Sequence, residues 1–110
     1  MIRLFGGDFD MPEKIYSTME LKAVLLPIIR KYNAQKAYIF GSYARNEADK
    51  NSDVDVFVIG GQMFDPTDIF CIADELYRVL QKNVDVYEES EIDRTSDLYN
   101  NIMREGIEVA

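Results

Sequence analysis

Three aspartates stand within apolar, strand-like runs of this 110-residue sequence. Asp53 and Asp55 are two residues apart at the start of the run 54–59, so a strand would project both carboxylates from one face, about 6–7 Å apart. Asp85 repeats the pattern between two valines. Because unpaired buried carboxylates are costly and a divalent cation offsets that cost, the three acids predict a metal site. Two Mg²⁺ ions roughly 4 Å apart would suit in-line phosphoryl or nucleotidyl transfer.

A second feature, Gly41 followed by Ser42, comes directly after the apolar run 36–40. Glycine permits close approach of the backbone to a phosphate, and the following N–H groups and the serine hydroxyl can donate hydrogen bonds to it. Gly41 precedes Asp53 by twelve residues. A phosphate-binding turn and a metal-binding carboxylate pair at this spacing predict a nucleoside triphosphate site.

Each of these residues also has a purely structural interpretation. Asp53 and Asp55 could face water at the start of a strand, although the upstream glycine and serine favour a site. Asp85 could protect the edge of a sheet against pairing with another chain. Ser42 could cap a helix, which is compatible with phosphate binding. Arg45 could contact the phosphates or form an ion pair with a nearby acid.

Composition excludes several other kinds of site. The sequence has no histidine, which excludes Ser-His-Asp and Cys-His nucleophilic sites and His-ligated zinc. Its single cysteine, Cys71, excludes an internal disulfide and CxxC metal pairs. The formal net charge of -8 disfavours broad nucleic-acid binding, because an acidic surface repels a phosphate backbone. The longest apolar run, residues 23–29, is too short to span a membrane, and we expect a cytoplasmic protein.

The elements that must position these residues follow from the apolar periodicity. Residues 19–110 predict a single α/β or α+β domain, one small sheet with helices packed on it, while residues 1–18 form an N-terminal segment with a possible strand at 2–5 and a turn at 6–8. Pro27 predicts a kink or an early break in the first helix. The predicted order is a helix from Met19 to Tyr32, strands at Lys36–Phe40 and Val54–Ile59, a helix from Asp65 to Leu80, a strand at Val84–Tyr87 and a helix from Ser96 to Gly106.

The Gly41 turn and the Asp53–Asp55 pair together resemble the signature of a known family. The pattern Gly41-Ser42-x-Ala44-Arg45, followed by Ser52-Asp53-x-Asp55, is similar to the signature of the minimal nucleotidyltransferases of the DNA polymerase β-like superfamily. The resemblance extends from about Leu21 to the C-terminus and implies a mixed sheet with the polymerase β palm-like fold. It also implies magnesium-dependent nucleotidyl transfer, with Ser42 on the triphosphate, Asp53 and Asp55 on metal, and Asp85 as the third carboxylate that helps to activate the incoming hydroxyl.

The resemblance also implies a partner. Many single-domain members resemble antitoxins that pair with a small helical protein of the HEPN ribonuclease type, and some of them transfer AMP from ATP to a tyrosine of that partner. One departure is visible, because the motif commonly continues with glycine where this sequence has Asn46. Asparagine tolerates a left-handed backbone better than most residues, so we expect the turn to be kept.

The sequence therefore predicts an enzyme that uses ATP and Mg²⁺ to place a nucleotide on an acceptor hydroxyl. Because it shows no second domain that would bind an acceptor, we expect a partner protein to supply that hydroxyl or much of its site, within a homo- or hetero-oligomer. Two alternatives stay open: an antitoxin that neutralises its partner by steric contact alone, and a catalytic subunit that acts on small molecules such as aminoglycosides. The nucleobase and the number of nucleotides added are also left open.

Overall fold

A computed structural model describes residues 1–4 and 14–109. Within these residues the strands are β1 Ile2–Leu4, β2 Lys36–Phe40, β3 Val54–Ile59, β4 Val84–Glu88 and β5 Ile107–Glu108, and the helices are α1 Thr18–Lys31, α2 Ile69–Leu80 and α3 Asp97–Glu105. The strands form a mixed sheet in the order β1-β4-β3-β2-β5, in which β3 and β4 are parallel and the other neighbours are antiparallel. The predicted fold class, a small sheet with helices packed on it, is confirmed.

The two faces of the sheet carry different side chains. Alternate residues of β3, namely Val54, Val56 and Val58, belong to the main core together with the buried residues of α1 and α2. Phe57 instead packs with Ile102 of α3 in a second, smaller core. Because successive strand residues point to opposite faces, Asp55 must project on the α3 side of the sheet. The carboxylate of Asp55 therefore lies outside the main core and does not interrupt its apolar packing.

The parallel pairing of β3 with β4 decides which residues meet. A parallel pair requires a crossover connection, which α2 supplies here. Both strands then run in one direction, so the two acid-bearing starts lie at the same end of the sheet. In the resulting register Asp55 is the cross-strand partner of Asp85.

The first helix differs from its prediction at one position. The prediction of an early break at Pro27 is wrong, because α1 continues without interruption to Lys31. Proline removes one backbone hydrogen bond, but Ile28 and Ile29 directly after it are buried and hold the last turn against the core. The start is fixed by a capping box, in which Ser17 accepts a hydrogen bond from the backbone of Glu20 and the Glu20 side chain accepts one from the backbone of Ser17.

The N-terminal strand changes the position of β4 in the sheet. The predicted strand at residues 2–5 is present as β1, which pairs antiparallel with β4. Asp85 therefore lies on an internal strand, and its interpretation as the guard of a sheet edge is wrong. The predicted turn at residues 6–8 lies outside the described residues, and the single domain at 19–110 stays a prediction.

Candidate active site

Three charged side chains lie in one row across the sheet. The register pairs Arg3 of β1 with Asp85 of β4, and Asp85 with Asp55 of β3. Paired residues on neighbouring strands share a face, and the strands themselves are about 4.8 Å apart. Two of the carboxylates predicted from the sequence are thus immediate neighbours, although thirty residues separate them along the chain.

The third predicted carboxylate, that of Asp53, is joined to this row by a hydrogen bond from Arg3. Asp53 directly precedes β3, and its Oδ2 accepts a hydrogen bond of 3.0 Å from Nη2 of Arg3. The other arm of that guanidinium, Nη1, donates to Oδ2 of Asp85 at 2.6 Å. One arginine therefore bridges two of the aspartates, and the structure brings Asp53, Asp55 and Asp85 together.

The cluster is short of positive charge. Burial, followed by the negative charge of Asp85, a hydrogen bond with Asp85 and the negative charge of Asp53, raises the pKa of the Asp55 carboxyl to about 7, against the smaller opposing effect of Arg3. Two aromatic rings, Phe40 in the same cross-strand row and Tyr87 two residues after Asp85, flank the acids with their centroids 5.5 Å apart. A carboxylate held against such rings loses part of its hydration, which favours its neutral form.

The donor set suits a hard divalent cation. Asp85 is only 6% exposed, and its Oδ1 is buried and has no hydrogen-bond partner among the described residues, as expected for an oxygen that would bind a metal ion. Mg²⁺ prefers carboxylate oxygens, which all three aspartates provide. In residues 1–4 and 14–109 no three acidic or cysteine side chains are already gathered around one metal position, and the guanidinium of Arg3 bridges two of the aspartates instead.

The predicted phosphate-binding turn packs against this cluster. Gly41 has a φ of +73°, and a Cβ built there would lie 2.4 Å from Oδ2 of Asp55. The turn is closed by hydrogen bonds from Arg45 N to Gly41 O (3.1 Å) and from Glu47 N to Ser42 O (2.9 Å). Asn46 has a φ of +58°, which confirms that asparagine keeps the left-handed position where the motif usually has glycine. Gly41 thus lies beside Asp55, and half-buried Ser42 follows it in the same turn.

Substitution of Gly41 by alanine is expected to be costly for two reasons. A positive φ disfavours any Cβ by about 1 kcal/mol, and the contact with Asp55 adds a steric cost, so we expect a loss of about 2–3 kcal/mol in the free energy of unfolding. Gly61→Ala is the matched control, since Gly61 also has a positive φ (+77°) but its added Cβ would come no closer than 3.2 Å to Gln35. Urea unfolding measures both; equal losses would contradict a tight contact between the turn and Asp55.

Arg45 lies at the surface of the turn and forms ion pairs. Its Nε contacts Glu47 at 3.1 Å, and Nη1 contacts Glu105 at the end of α3 at 3.4 Å. These contacts fit the ion-pair interpretation and tie the turn to α3. Because both pairs are exposed and therefore weak, they leave the guanidinium able to reorient. Its contact with phosphates stays a prediction.

Two further residues at the site were missed by the sequence reasoning. Arg3 belongs to a three-residue strand and contacts Asp85, which is 82 residues away, so no local pattern indicates that contact. Lys82 is 4% exposed and donates from Nζ to the carbonyl of Lys50 at 2.9 Å, while Val54 N donates to Asn83 O at 3.0 Å. These two bonds fasten the loop that carries Asp53 to the start of β4.

Sequence comparison identifies the family to which this chain belongs. The family described as "Polymerase beta, Nucleotidyltransferase" matches residues 24–110, which include the turn and all three aspartates. The chain belongs to this nucleotidyltransferase family. A relative from Methanocaldococcus jannaschii, named as a candidate protein adenylyltransferase, is 38% identical over 90 residues, which cover 82% of this chain and 95% of the relative.

Solved structures share the fold of this nucleotidyltransferase. A toxin-antitoxin crystal structure with AMP-PNP superposes with a TM-score of 0.69 at 22% identity, and the match covers 81% of this chain and 72% of that chain. A tri-AMPylated Shewanella oneidensis HEPN toxin in complex with its MNT antitoxin gives a TM-score of 0.61 at 20% identity, covering 81% and 68%. At these identities the likeness shows the fold alone. None of the nucleotidyltransferase's described helices has the length and apolar character needed to cross a membrane.

Proposed function

We propose that this nucleotidyltransferase transfers AMP from ATP to a hydroxyl group of a partner protein, in a reaction that depends on Mg²⁺. The observation that carries the proposal is the cross-strand pairing of Asp55 with Asp85 beside the Gly41 turn, with Asp53 joined to Asp85 through Arg3. The partner we propose is a small helical protein of the HEPN type, for which this chain acts as the antitoxin. The name of the archaeal relative and the nature of the complexes that share the fold support this choice.

Each site residue has a role in that reaction. Gly41, Ser42 and Arg45 bind the triphosphate through backbone N–H groups, a hydroxyl and a guanidinium, while Asp53, Asp55 and Asp85 would hold the metal. Bound Mg²⁺ supplies charge neutralisation of the triphosphate and lowers the pKa of an oxygen bound to it. The acceptor oxygen forms a bond to the α-phosphorus, the bond to pyrophosphate breaks, and the acceptor's proton leaves towards Asp85. Atoms and charge balance without any further reactant.

Binding of ATP is expected to require the metal. At neutral pH the acidic cluster repels a triphosphate, and only a bridging cation converts that repulsion into attraction. We therefore expect calorimetry to give measurable ATP binding in Mg²⁺ and binding at least about tenfold weaker in EDTA. Equal affinity in both buffers would contradict a metal site at the three aspartates.

Transfer itself is tested by mass spectrometry of the partner. A small helical protein of the HEPN type found encoded beside this chain, when incubated with it and MgATP, should gain the mass of one or more AMP groups. A partner that is bound and neutralised without any gain in mass would favour steric neutralisation, and one that is neither bound nor modified would favour a small-molecule acceptor. A cytoplasmic location stays a prediction.

A further inference from the structure

Arg3 contributes a positive charge to the site from outside the signature motif. We infer that Arg3 is a built-in counter-cation of the aspartate cluster, which a divalent metal ion must displace from Asp53 and Asp85 in order to bind. The inference rests on the proposed function in one respect, namely that these aspartates bind a divalent cation. It adds an autoinhibitory contact that sets how tightly the metal is bound.

The contacts of the guanidinium are those that a metal would need. Nη1 is 2.6 Å from Oδ2 of Asp85 and Nη2 is 3.0 Å from Oδ2 of Asp53, so the fork spans both acids. A magnesium ion bound to the same oxygens would approach them to about 2.0–2.1 Å. Two cations cannot share that space, because their repulsion at such separations in a partly buried site is large. Binding of the metal and pairing with Arg3 are therefore alternatives.

The position of Arg3 allows it to leave without unfolding the protein. β1 has three residues and, within the residues that the structure describes, lies at the edge of the sheet and pairs with β4 alone. The side chain of Arg3 is 41% exposed, whereas that of Asp85 is 8% exposed. The guanidinium can therefore swing towards solvent on its flexible stem while the carboxylate stays in place.

The other basic side chains near the site are engaged elsewhere. Lys82 donates to the carbonyl of Lys50, and Arg45 pairs with Glu47 and Glu105. In the part of the chain that the structure describes, the ion pairs made by Asp53 and Asp85 are both with Arg3. Its removal would leave Asp53 and Asp85 without an ion pair among the residues that the structure describes, and a divalent cation would then bind them without competition from Arg3.

Titration with Mn²⁺ alone, followed by electron paramagnetic resonance of the free ion, tests this inference without nucleotide or turnover. We expect Arg3→Gln to bind Mn²⁺ about tenfold more tightly than the unmodified protein. The matched control is Arg78→Gln, which removes the same charge from the exposed Arg78–Asp74 pair on α2 and should leave the affinity nearly unchanged. A second variant, Arg3→Met, keeps the aliphatic stem and also lacks the charge. It should bind Mn²⁺ as tightly as Arg3→Gln, and it tests the inference in the event that Arg3→Gln loosens β1.

Thermal melting gives a second readout. In EDTA, Arg3→Gln should melt at a lower temperature than the unmodified protein because the acids repel one another, and Mn²⁺ should raise its melting temperature by the larger amount. Equal Mn²⁺ affinity in the Arg3 variants and the unmodified protein, or the same gain in Arg78→Gln, would overturn the inference and leave the proposed function standing. Absence of Mn²⁺ binding from every variant would overturn both.

Discussion

Asp85→Asn is expected to lower the rate of AMP transfer by about 10²–10⁴-fold while it leaves MgATP affinity nearly unchanged. In the proposed mechanism Asp53 and Asp55 would still hold the nucleotide's metal in this variant, but an amide cannot accept the proton that the acceptor hydroxyl releases. The amide has the shape of the carboxylate, and its oxygen can still accept the hydrogen bond that Arg3 donates to Asp85. Single-turnover assays with the partner measure the rate, and calorimetry measures the affinity.

Asp74→Asn provides the control for Asp85→Asn. Asp74 is an exposed aspartate of α2 that pairs with Arg78, so its substitution changes the net charge equally but should leave the transfer rate unchanged. In cells, Asp85→Asn should fail to protect against the partner, and the partner should carry no added AMP. Full protection by this variant, with an unmodified partner, would contradict the enzymatic proposal and leave steric neutralisation.

Asp55→Asn is expected to stabilise the metal-free protein at pH 8. The pKa of Asp55 is raised from its usual value near 4 to about 7 in the folded state, so between these values the folded protein keeps a proton that the unfolded chain has lost. This group's contribution to stability is therefore complete below about pH 4, is lost as the pH rises to about 7, and stays constant above. Because asparagine does not titrate, the variant avoids that loss. We expect it to gain about 1–2 kcal/mol in the free energy of unfolding at pH 8, a value reduced for a partly exposed carboxyl.

Urea unfolding in EDTA at several pH values between 4 and 8 measures this difference. The stability of Asp55→Asn relative to the unmodified protein should grow with pH up to about 7 and then level. Asp53→Asn is the informative comparison, because Asp53 accepts a hydrogen bond from Arg3 and its substitution weakens an ion pair, so no such gain is expected. A lower stability of Asp55→Asn throughout this pH range would indicate that Asp55 is a structural acid.

Local sequence patterns predicted much of the site because they act through neighbouring residues. The alternation of valines with aspartate in the run 54–59 predicts a strand that projects its aspartate from one face, and β3 has these bounds. Asn46 was expected to keep a left-handed turn because its short polar side chain tolerates that backbone, and it does so. Gly41 was assigned to phosphate approach, but the structure adds a second reason, which is its contact with Asp55.

Contacts between distant segments were not predicted by any local pattern. The alternative role of Asp85 as an edge acid failed because β1, at the very start of the chain, covers β4. The expected break at Pro27 failed because the burial of Ile28 and Ile29 outweighs one missing backbone bond. In both cases tertiary packing overrode a local preference.

The residue types of the site, the strands and turn that carry them and the family signature can be read from short stretches of sequence, because each depends on residues close together in the chain. The pairing of Asp55 with Asp85 in a parallel register, and the bridge that Arg3 forms between Asp53 and Asp85, are visible only in the folded chain. Pairing between strands is set by the closure of long loops and by burial of a shared face, and neither of these is encoded within one segment. The charge balance of the site, and with it the raised pKa of Asp55, follows from those long-range contacts.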